Sequence, residues 1–324
     1  MYSRISSATR SLALAALLAG IATTAAHAQQ TLSSGVDTTT FDHSVRPQDD
    51  FFRYVNGGWL KKNDIPADAS SWGAFQELRE NSRNAEHELF ESASKASAAS
   101  GSPSRKVGDL YASYMDSARV EKLGLAPLAP ELKSIANLKV SSQLAAAFAH
   151  FARFGIRGPA GVGVGADPKH STQNIVQVSQ SGLGMPDRDY YLKQDPKMVS
   201  TRAAYVAYIT QMLTLAKQPD PAGAANRILA LETQIATPQW ERARNRDRDA
   251  TYNKMTVTEL AAMTPSYNWK SYLSEAGLAK ATDVVVRQPD YIKALDPIFA
   301  STPVSTWREY LTFKLLDDFS DQLP

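Results

Sequence analysis

The sequence predicts a mainly α-helical domain with a small β element, on three observations. Apolar residues recur at spacings of three and four along most of the chain. Residue types that satisfy the free N–H groups of a first helical turn precede several of those runs. Only two short stretches carry the β-branched runs typical of strands.

Taken in order, the first 28 residues read as a secretory signal peptide. Arg4 and Arg10 form a positive start, and Ser11 to Thr24 is small and apolar. Ala26-His27-Ala28 then offers a small-x-small cleavage site before Gln29. The apolar run is shorter than the roughly 20 residues of a membrane span, so an uncleaved anchor is the lesser alternative. The Ala-rich style fits bacterial export to the periplasm or beyond. Residues 29–46 are polar and Thr-rich and read as a flexible tether. Residues 47–324 read as the folded domain.

Within that domain, Asp49 and Asp50 read as charges at a helix start. Ser92 to Arg105 reads as a loop between helices. Leu144, Phe148 and Phe151 mark a helix. Gly161 to Ala166 reads as a glycine-rich strand, since its spacing is wrong for a dinucleotide loop. Asn174 to Val178 reads as a strand. Val206, Ile209 and Leu213 mark a second helix, residues 217–223 a break, and Ile228, Leu231 and Ile235 a third helix. Thr256-Val257-Thr258-Glu259 fits a capping box. Val284 to Val286 reads as a short strand. Thr302-Pro303 fits an N-cap followed by proline at the first helical position. Trp307, Tyr310, Leu311 and Leu315 mark a final amphipathic helix. No return element follows it before Leu323-Pro324, which reads as a cut within a larger architecture or else a natural end.

Composition narrows the function. With 43% hydrophobic and 21% charged residues in 324, the chain is neither disordered nor a polytopic membrane protein. Setting aside Arg4 and Arg10 leaves 33 basic against 33 acidic residues, which argues against a nucleic-acid partner. Cysteine is absent, so disulfides, thiolate zinc sites and thiol nucleophiles are excluded.

Four histidines lie beyond the leader: His43, His87, His150 and His170. None begins an H-E-x-x-H motif, whose spacing would set two imidazoles on one helix face. His87-Glu88-Leu89-Phe90-Glu91 has the first two letters only and reads as a solvated face. His150 reads as packing or surface, and His170 as part of a turn. Asp317-Asp318 and the alternating charges from Arg242 to Asp249 read as solvated or ion-paired surface. No catalytic residue and no metal ligand is assigned. The residues alone support an exported, near-neutral, mainly helical domain without a self-contained active site.

Three local patterns carry a resemblance. Asp50-Phe51-Phe52-Arg53-Tyr54-Val55-Asn56-Gly57-Gly58-Trp59-Leu60, followed by Ile65-Pro66, resembles the opening signature of the neprilysin family of zinc metallopeptidases. Gly182-Leu183-Gly184-Met185-Pro186-Asp187-Arg188-Asp189-Tyr190-Tyr191-Leu192 resembles a second landmark of that family, and Tyr252-Asn253-Lys254-Met255-Thr256 a third. The resemblance takes Phe52, Gly57, Trp59, Pro186, Asp187, Arg188, Asp189 and Tyr190 as fold landmarks. Phe51, Phe52, Tyr54 and Trp59 are expected to bury in a core. Gly57-Gly58 is expected to form a helix exit or tight turn. Asp187, Arg188 and Asp189 are expected to form a locally ion-paired turn leading into a helix.

The resemblance implies the N-terminal helical domain of a bacterial exported oligopeptidase. A thermolysin-like catalytic domain, absent from these residues, would bring an H-E-x-x-H zinc site, and the two would enclose a cavity admitting oligopeptides. Zinc would belong to the intact enzyme and not to this chain. The partners would be an oligopeptide substrate and the missing catalytic domain, with no nucleic acid and no stable membrane span after leader cleavage. Some family members carry an Arg and an Asp near the substrate's C-terminal end. The matching positions here are Ser71 and Gln76, low-charge cavity candidates that put a dipeptide-releasing preference in doubt. The alternatives are a non-catalytic periplasmic peptide-binding or interaction module and a degenerate pseudopeptidase.

Overall fold

Helix-start chemistry is visible from the first element onward. The computed structural model describes residues 35–67, 69 and 71–324. The expected signal peptide and the beginning of the expected tether lie outside them. The chain divides into two units, Met1–Gly108 and Asp109–Pro324.

In the first unit, helix α1 (Phe51–Leu60) starts where the Asp50 carboxylate accepts the Arg53 N–H at 2.9 Å. Gly57 and Gly58 lie inside α1 and do not form its exit. A Cβ on Gly57 would stand 2.5 Å from the Asp42 Cβ, and one on Gly58 2.8 Å from the Thr40 carbonyl. Glycine here admits close approach of the preceding segment. That segment is fastened: Thr40 Oγ1 donates to Val55 O at 3.0 Å, Asp42 N to Tyr54 O at 2.7 Å, and Lys61 pairs with Asp42 at 2.7 Å. Residues 40–42 of the expected tether are therefore bonded to α1. Phe51 and Phe52 are not core residues; they remain 68% and 64% exposed. The face of α1 that meets residues 40–42 carries Tyr54, Gly57 and Gly58, and the phenylalanines sit off it.

Helix α2 (Ala74–Lys95) and helix α3 (Pro103–Tyr114) follow. The break between them is shorter than residues 92–105, because Ser92 to Lys95 complete α2 and Pro103 opens α3. At Gly108 a Cβ would stand 2.3 Å from Ala93 O, so the two helices touch backbone to backbone there.

The second unit holds α4 (Ser117–Leu123), α5 (Ala129–Ala136) and α6 (Leu144–Ala152), then the hairpin β1 (Ala160–Asp167) and β2 (His170–Gln180). Pro168-Lys169 makes the hairpin turn. His170, expected in a turn, opens β2 opposite Asp167. Next come α7 (Asp189–Leu192), α8 (Pro196–Leu215) and α9 (Pro221–Ala236), the break between the last two centring on Asp220, which accepts the Gly223 N–H at 3.2 Å. Then follow β3 (Asn253–Thr256), α10 (Val257–Met263), α11 (Trp269–Glu275), β4 (Asp283–Val286), α12 (Pro289–Ser301) and α13 (Val304–Asp318). The capping box forms at α10: Thr256 N donates to Glu259 Oε2 at 2.7 Å and Glu259 N to Thr256 Oγ1 at 3.2 Å.

The four strands form one sheet in the order β1-β2-β4-β3. β1 and β2 pair antiparallel, β2 and β4 parallel, β3 and β4 antiparallel. Val284, Val285 and Val286 are all buried, as befits an inner strand covered on both faces.

Helix α13 departs from expectation in two ways. Pro303 occupies the N-cap position and Thr302 closes α12, so the start lies one residue later than the Thr-Pro pattern suggested. Nor does α13 lack partners. Trp307, Tyr310, Leu311, Phe313, Leu315 and Leu316 are buried, and the helix packs on α5, α8 and α9. Burial on several sides marks a central helix, not an amphipathic one. Trp307 stacks on Phe299 at 5.5 Å and meets Phe148 edge-on at 5.5 Å.

Candidate functional site

The second landmark forms one wall of a cleft of about 650 Å³ in the second unit. Its backbone leaves β2 through Gly182, whose φ of +93° favours glycine, and a Cβ there would stand 2.8 Å from the Pro159 Cα. Tyr310 Oη donates to Gly182 O at 2.5 Å and Lys314 Nζ to Leu183 O at 3.3 Å. The Gly184 and Met185 N–H groups donate to the Tyr191 hydroxyl at 3.1 and 2.9 Å. Helices α7 and α13 thus pin four successive residues of the loop.

Below the loop lies Glu232, fully buried on α9. Its Oε2 accepts the hydroxyls of Tyr191 at 2.7 Å and Tyr205 at 2.9 Å, while Oε1 has no hydrogen-bond partner among the described residues. Burial pushes the Glu232 carboxyl up; the Lys314 charge and the two phenols pull the other way. Burial, followed by the Glu232 charge, also pushes both phenols up. Glu232 was not singled out from the sequence. The signal was present, since it falls on the apolar stripe of Ile228, Leu231 and Ile235.

The far wall comes from residues 239–245. The Gln180 amide clamps Trp240, accepting its backbone N–H at 2.7 Å and donating to its carbonyl at 3.0 Å. Gln239 Nε2 donates to Ser181 O at 2.9 Å. Arg244 lies 3.4 Å above the Trp240 ring and pairs with Asp290.

Among the landmarks, Pro186 lines the cleft. Asp187 pairs with Arg242 at 2.6 Å, Arg188 with Glu241 at 3.3 Å and Asp189 with Lys193 at 2.8 Å. Only the last pair is local; the first two reach across about fifty residues, because the chain returns beside the loop after α9. Tyr190 O accepts Arg202 Nη1 at 2.8 Å. The alternating charges from Arg242 are thus partly ion-paired, as one of the two readings held. Phe52, Gly57 and Trp59 lie together on α1 in the first unit. Ser71 and Gln76, also in that unit, are brought into contact: Gln76 Nε2 donates to Ser71 Oγ at 3.0 Å.

No histidine lines the cleft, and the chain has no cysteine, so two common sources of a general base or nucleophile are missing from it. His150 meets Glu131 through Nε2 at 2.7 Å and Glu275 through Nδ1 at 3.8 Å, so the carboxylates sit on opposite ring nitrogens and cannot converge on one ion. His87 has Glu91 at 3.9 Å on an exposed helix face. Among the described residues no group of three or more metal-ligating side chains occurs, and these residues do not fit a zinc site. No helix among them is long and apolar enough to cross a membrane.

Comparison with known proteins gives a consistent picture. Residues 47–324 match the N-terminal profile of Peptidase family M13. Endothelin-converting enzyme 1 of Bos taurus is 27% identical over 304 residues, covering 88% of this chain and 39% of that protein. Endothelin-converting enzyme-like 1 of Homo sapiens is 26% identical over 305 residues, covering 87% and 38%. The chain thus spans about two-fifths of the length of these curated relatives. Among solved structures, the zinc metalloprotease ZMP1 of Mycobacterium tuberculosis in complex with an inhibitor superposes with a TM-score of 0.81 at 37% identity, over 90% of this chain and 45% of that one. PEPO from Lactobacillus rhamnosis shares the fold, with a TM-score of 0.63 at 20% identity over 85% and 43% of the two chains.

Proposed function

The chain belongs to peptidase family M13, and from that membership we propose that it is the N-terminal part of an exported zinc metalloendopeptidase that hydrolyses oligopeptides. The observation that carries the reading is its likeness to the Mycobacterium tuberculosis zinc metalloprotease at 37% identity. In this reading the helical domain caps the substrate cavity, and the leader at residues 1–28 directs export. Because these residues do not fit zinc, the metal and its catalytic water belong to another part of the intact enzyme.

Ser71 and Gln76 are proposed cavity residues. A substrate carboxylate reaching them would meet a neutral hydroxyl–amide pair, without the charge-assisted bond an arginine supplies. Free and amidated C-termini should then be cleaved by the intact enzyme with similar kcat/KM. A strong preference for the free carboxylate would remove this role.

The decisive experiment is peptidase assay of purified residues 29–324 with added zinc and a quenched fluorescent oligopeptide. No turnover is expected. Chelator-sensitive cleavage by this chain would overturn the reading.

A further inference from the structure

We propose that Lys314 is a two-position latch on the cleft loop: with Glu232 protonated its ammonium holds the Leu183 carbonyl, and with Glu232 ionised it leaves that carbonyl for Glu232 Oε1 and loosens the wall. The two positions adjoin. Lys314 Nζ donates to Leu183 O at 3.3 Å, and a Cβ on the next residue, Gly184, would stand 3.3 Å from Glu232 Oε1. Oε1 is buried and has no hydrogen-bond partner among the described residues, whereas Oε2 already accepts the Tyr191 and Tyr205 hydroxyls. A further donor is therefore directed to Oε1. Leu183 and Lys314 both line the cleft, so the exchange alters its wall. The exchange goes beyond the peptidase reading and needs none of it.

Electrostatics set the direction of the exchange. Charge on a buried carboxylate is costly unless a cation or a further donor answers it. Helices α7, α8, α12 and α13 pack on α9. From α7 and α8 come Tyr191 and Tyr205; burial, followed by the Glu232 charge, pushes both phenols up, so they stay neutral donors. Asp189 on α7 is taken by Lys193. From α12, Tyr291 donates to Pro159 O at 2.7 Å and Asp290 pairs with Arg244. From α13, Tyr310 donates to Gly182 O, Arg227 holds Glu309 at 2.7 Å, and Asp317 accepts the Tyr208 hydroxyl at 2.6 Å. Asp317 and Asp318, one turn on from Lys314, line the cleft. The loop itself turns the Gly184 N–H toward the carboxyl. Lys314 is the cation left to answer, and of the influences that oppose burial at Glu232 its charge leads. Its present bond is long, since N–H···O bonds centre on about 2.9–3.0 Å. A bond to an ionised carboxylate is shorter and about twice as strong. When the Glu232 proton passes to solvent, the ammonium therefore gains by moving from carbonyl to carboxylate.

NMR of the full chain, labelled with carbon-13 at the leucine carbonyls and glutamate carboxyls, reads both ends of the exchange as pH rises from about 4. The Leu183 carbonyl shift is expected to titrate with the same midpoint as the Glu232 carboxyl. Protection of the Met185 amide, corrected for the intrinsic pH dependence of exchange, is expected to fall by about threefold or more across that midpoint. E232Q is expected to hold the Leu183 shift at the parent's acid-end value at every pH. K314M is expected to give a flat Leu183 shift and a Glu232 midpoint about one pH unit or more higher. A merely structural lysine would not tie Leu183 to the Glu232 titration. Circular dichroism establishes that each variant is folded; if K314M does not fold, K314Q, which keeps a donor but no charge, is expected to give the same flat profile. A Leu183 shift that stays flat while Glu232 ionises would overturn the latch, since the ammonium then never leaves the carbonyl. A Leu183 shift that still titrates without the Lys314 charge would assign the effect to the field of Glu232 alone and overturn it too. So would a Glu232 carboxyl that does not titrate while the chain stays folded.

Discussion

The Tyr191 hydroxyl donates to the buried Glu232 carboxyl group at 2.7 Å while accepting the backbone N–H groups of Gly184 and Met185. One phenol thus ties the landmark loop to α9. Tyr191→Phe leaves both N–H groups without that acceptor and Glu232 with a single donor. Unsatisfied buried polar groups cost about 1–3 kcal/mol each, so the variant is expected to lose at least that much. Urea unfolding together with hydrogen exchange at the Met185 amide checks this. An unchanged midpoint with a protected amide would show that the loop is held by other contacts.

Glu232 should also give stability a distinctive pH dependence. Burial raises its carboxyl above the unfolded value of about 4.3. The fold therefore favours the protonated form. That contribution is fully present below pH 4 or so and is lost as pH rises through the folded pKa. Glu232→Gln removes the ionisation while keeping an oxygen to accept the two phenols. The difference in urea midpoint, variant minus parent, is expected to grow as pH rises above about 4. A difference that stays flat with pH would show that Glu232 titrates as it does in the unfolded chain.

Asp42 carries the opposite sign. The hydrogen bond from Lys61, and then that from Ser44, holds its carboxyl down to about 2. Its contribution to fastening the segment before α1 is present above the unfolded pKa of about 3.9 and is lost as pH falls toward 2. Lys61→Met is expected to move the Asp42 titration upward, toward the unfolded value. Carboxyl carbon chemical shifts followed by NMR read this directly. An unmoved titration would assign the depression to Ser44.

Legibility in the sequence followed the range of the interaction. The stripes at Leu144, Val206 and Ile228 marked α6, α8 and α9 because helical period is a local property. The glycine-rich strand and the capping box at Thr256 were legible for the same reason. The partners of α13 were not, because α5, α8 and α9 reach it from positions far away in the chain. The pairing of Asp187 with Arg242 and Arg188 with Glu241 depends on the same long return. Phe51 and Phe52 misled because residue type gives an average tendency to bury, while the face a short helix presents is set by what lies against it. The contact of Ser71 with Gln76 spans five residues, yet only the resemblance drew attention to the pair.

Gly184 offers the sharpest test of the landmark's packing. A Cβ there would stand 1.8 Å from the Tyr205 hydroxyl oxygen and 3.3 Å from Glu232 Oε1. The tyrosine is fixed by its bond to Glu232 and by Phe313, whose ring meets it edge-on at 6.0 Å, so it has little room to yield. Gly184→Ala is expected to cost about 1–3 kcal/mol by overpacking. Tyr205→Phe deletes the clashing oxygen but leaves the ring carbon that carried it 2.8 Å from the new methyl, so the relief must be partial. A double-mutant cycle is therefore expected to give a coupling of about 0.5–3 kcal/mol in the favourable direction. If the two losses simply add, the glycine is required by the backbone of the loop and not by the phenol above it.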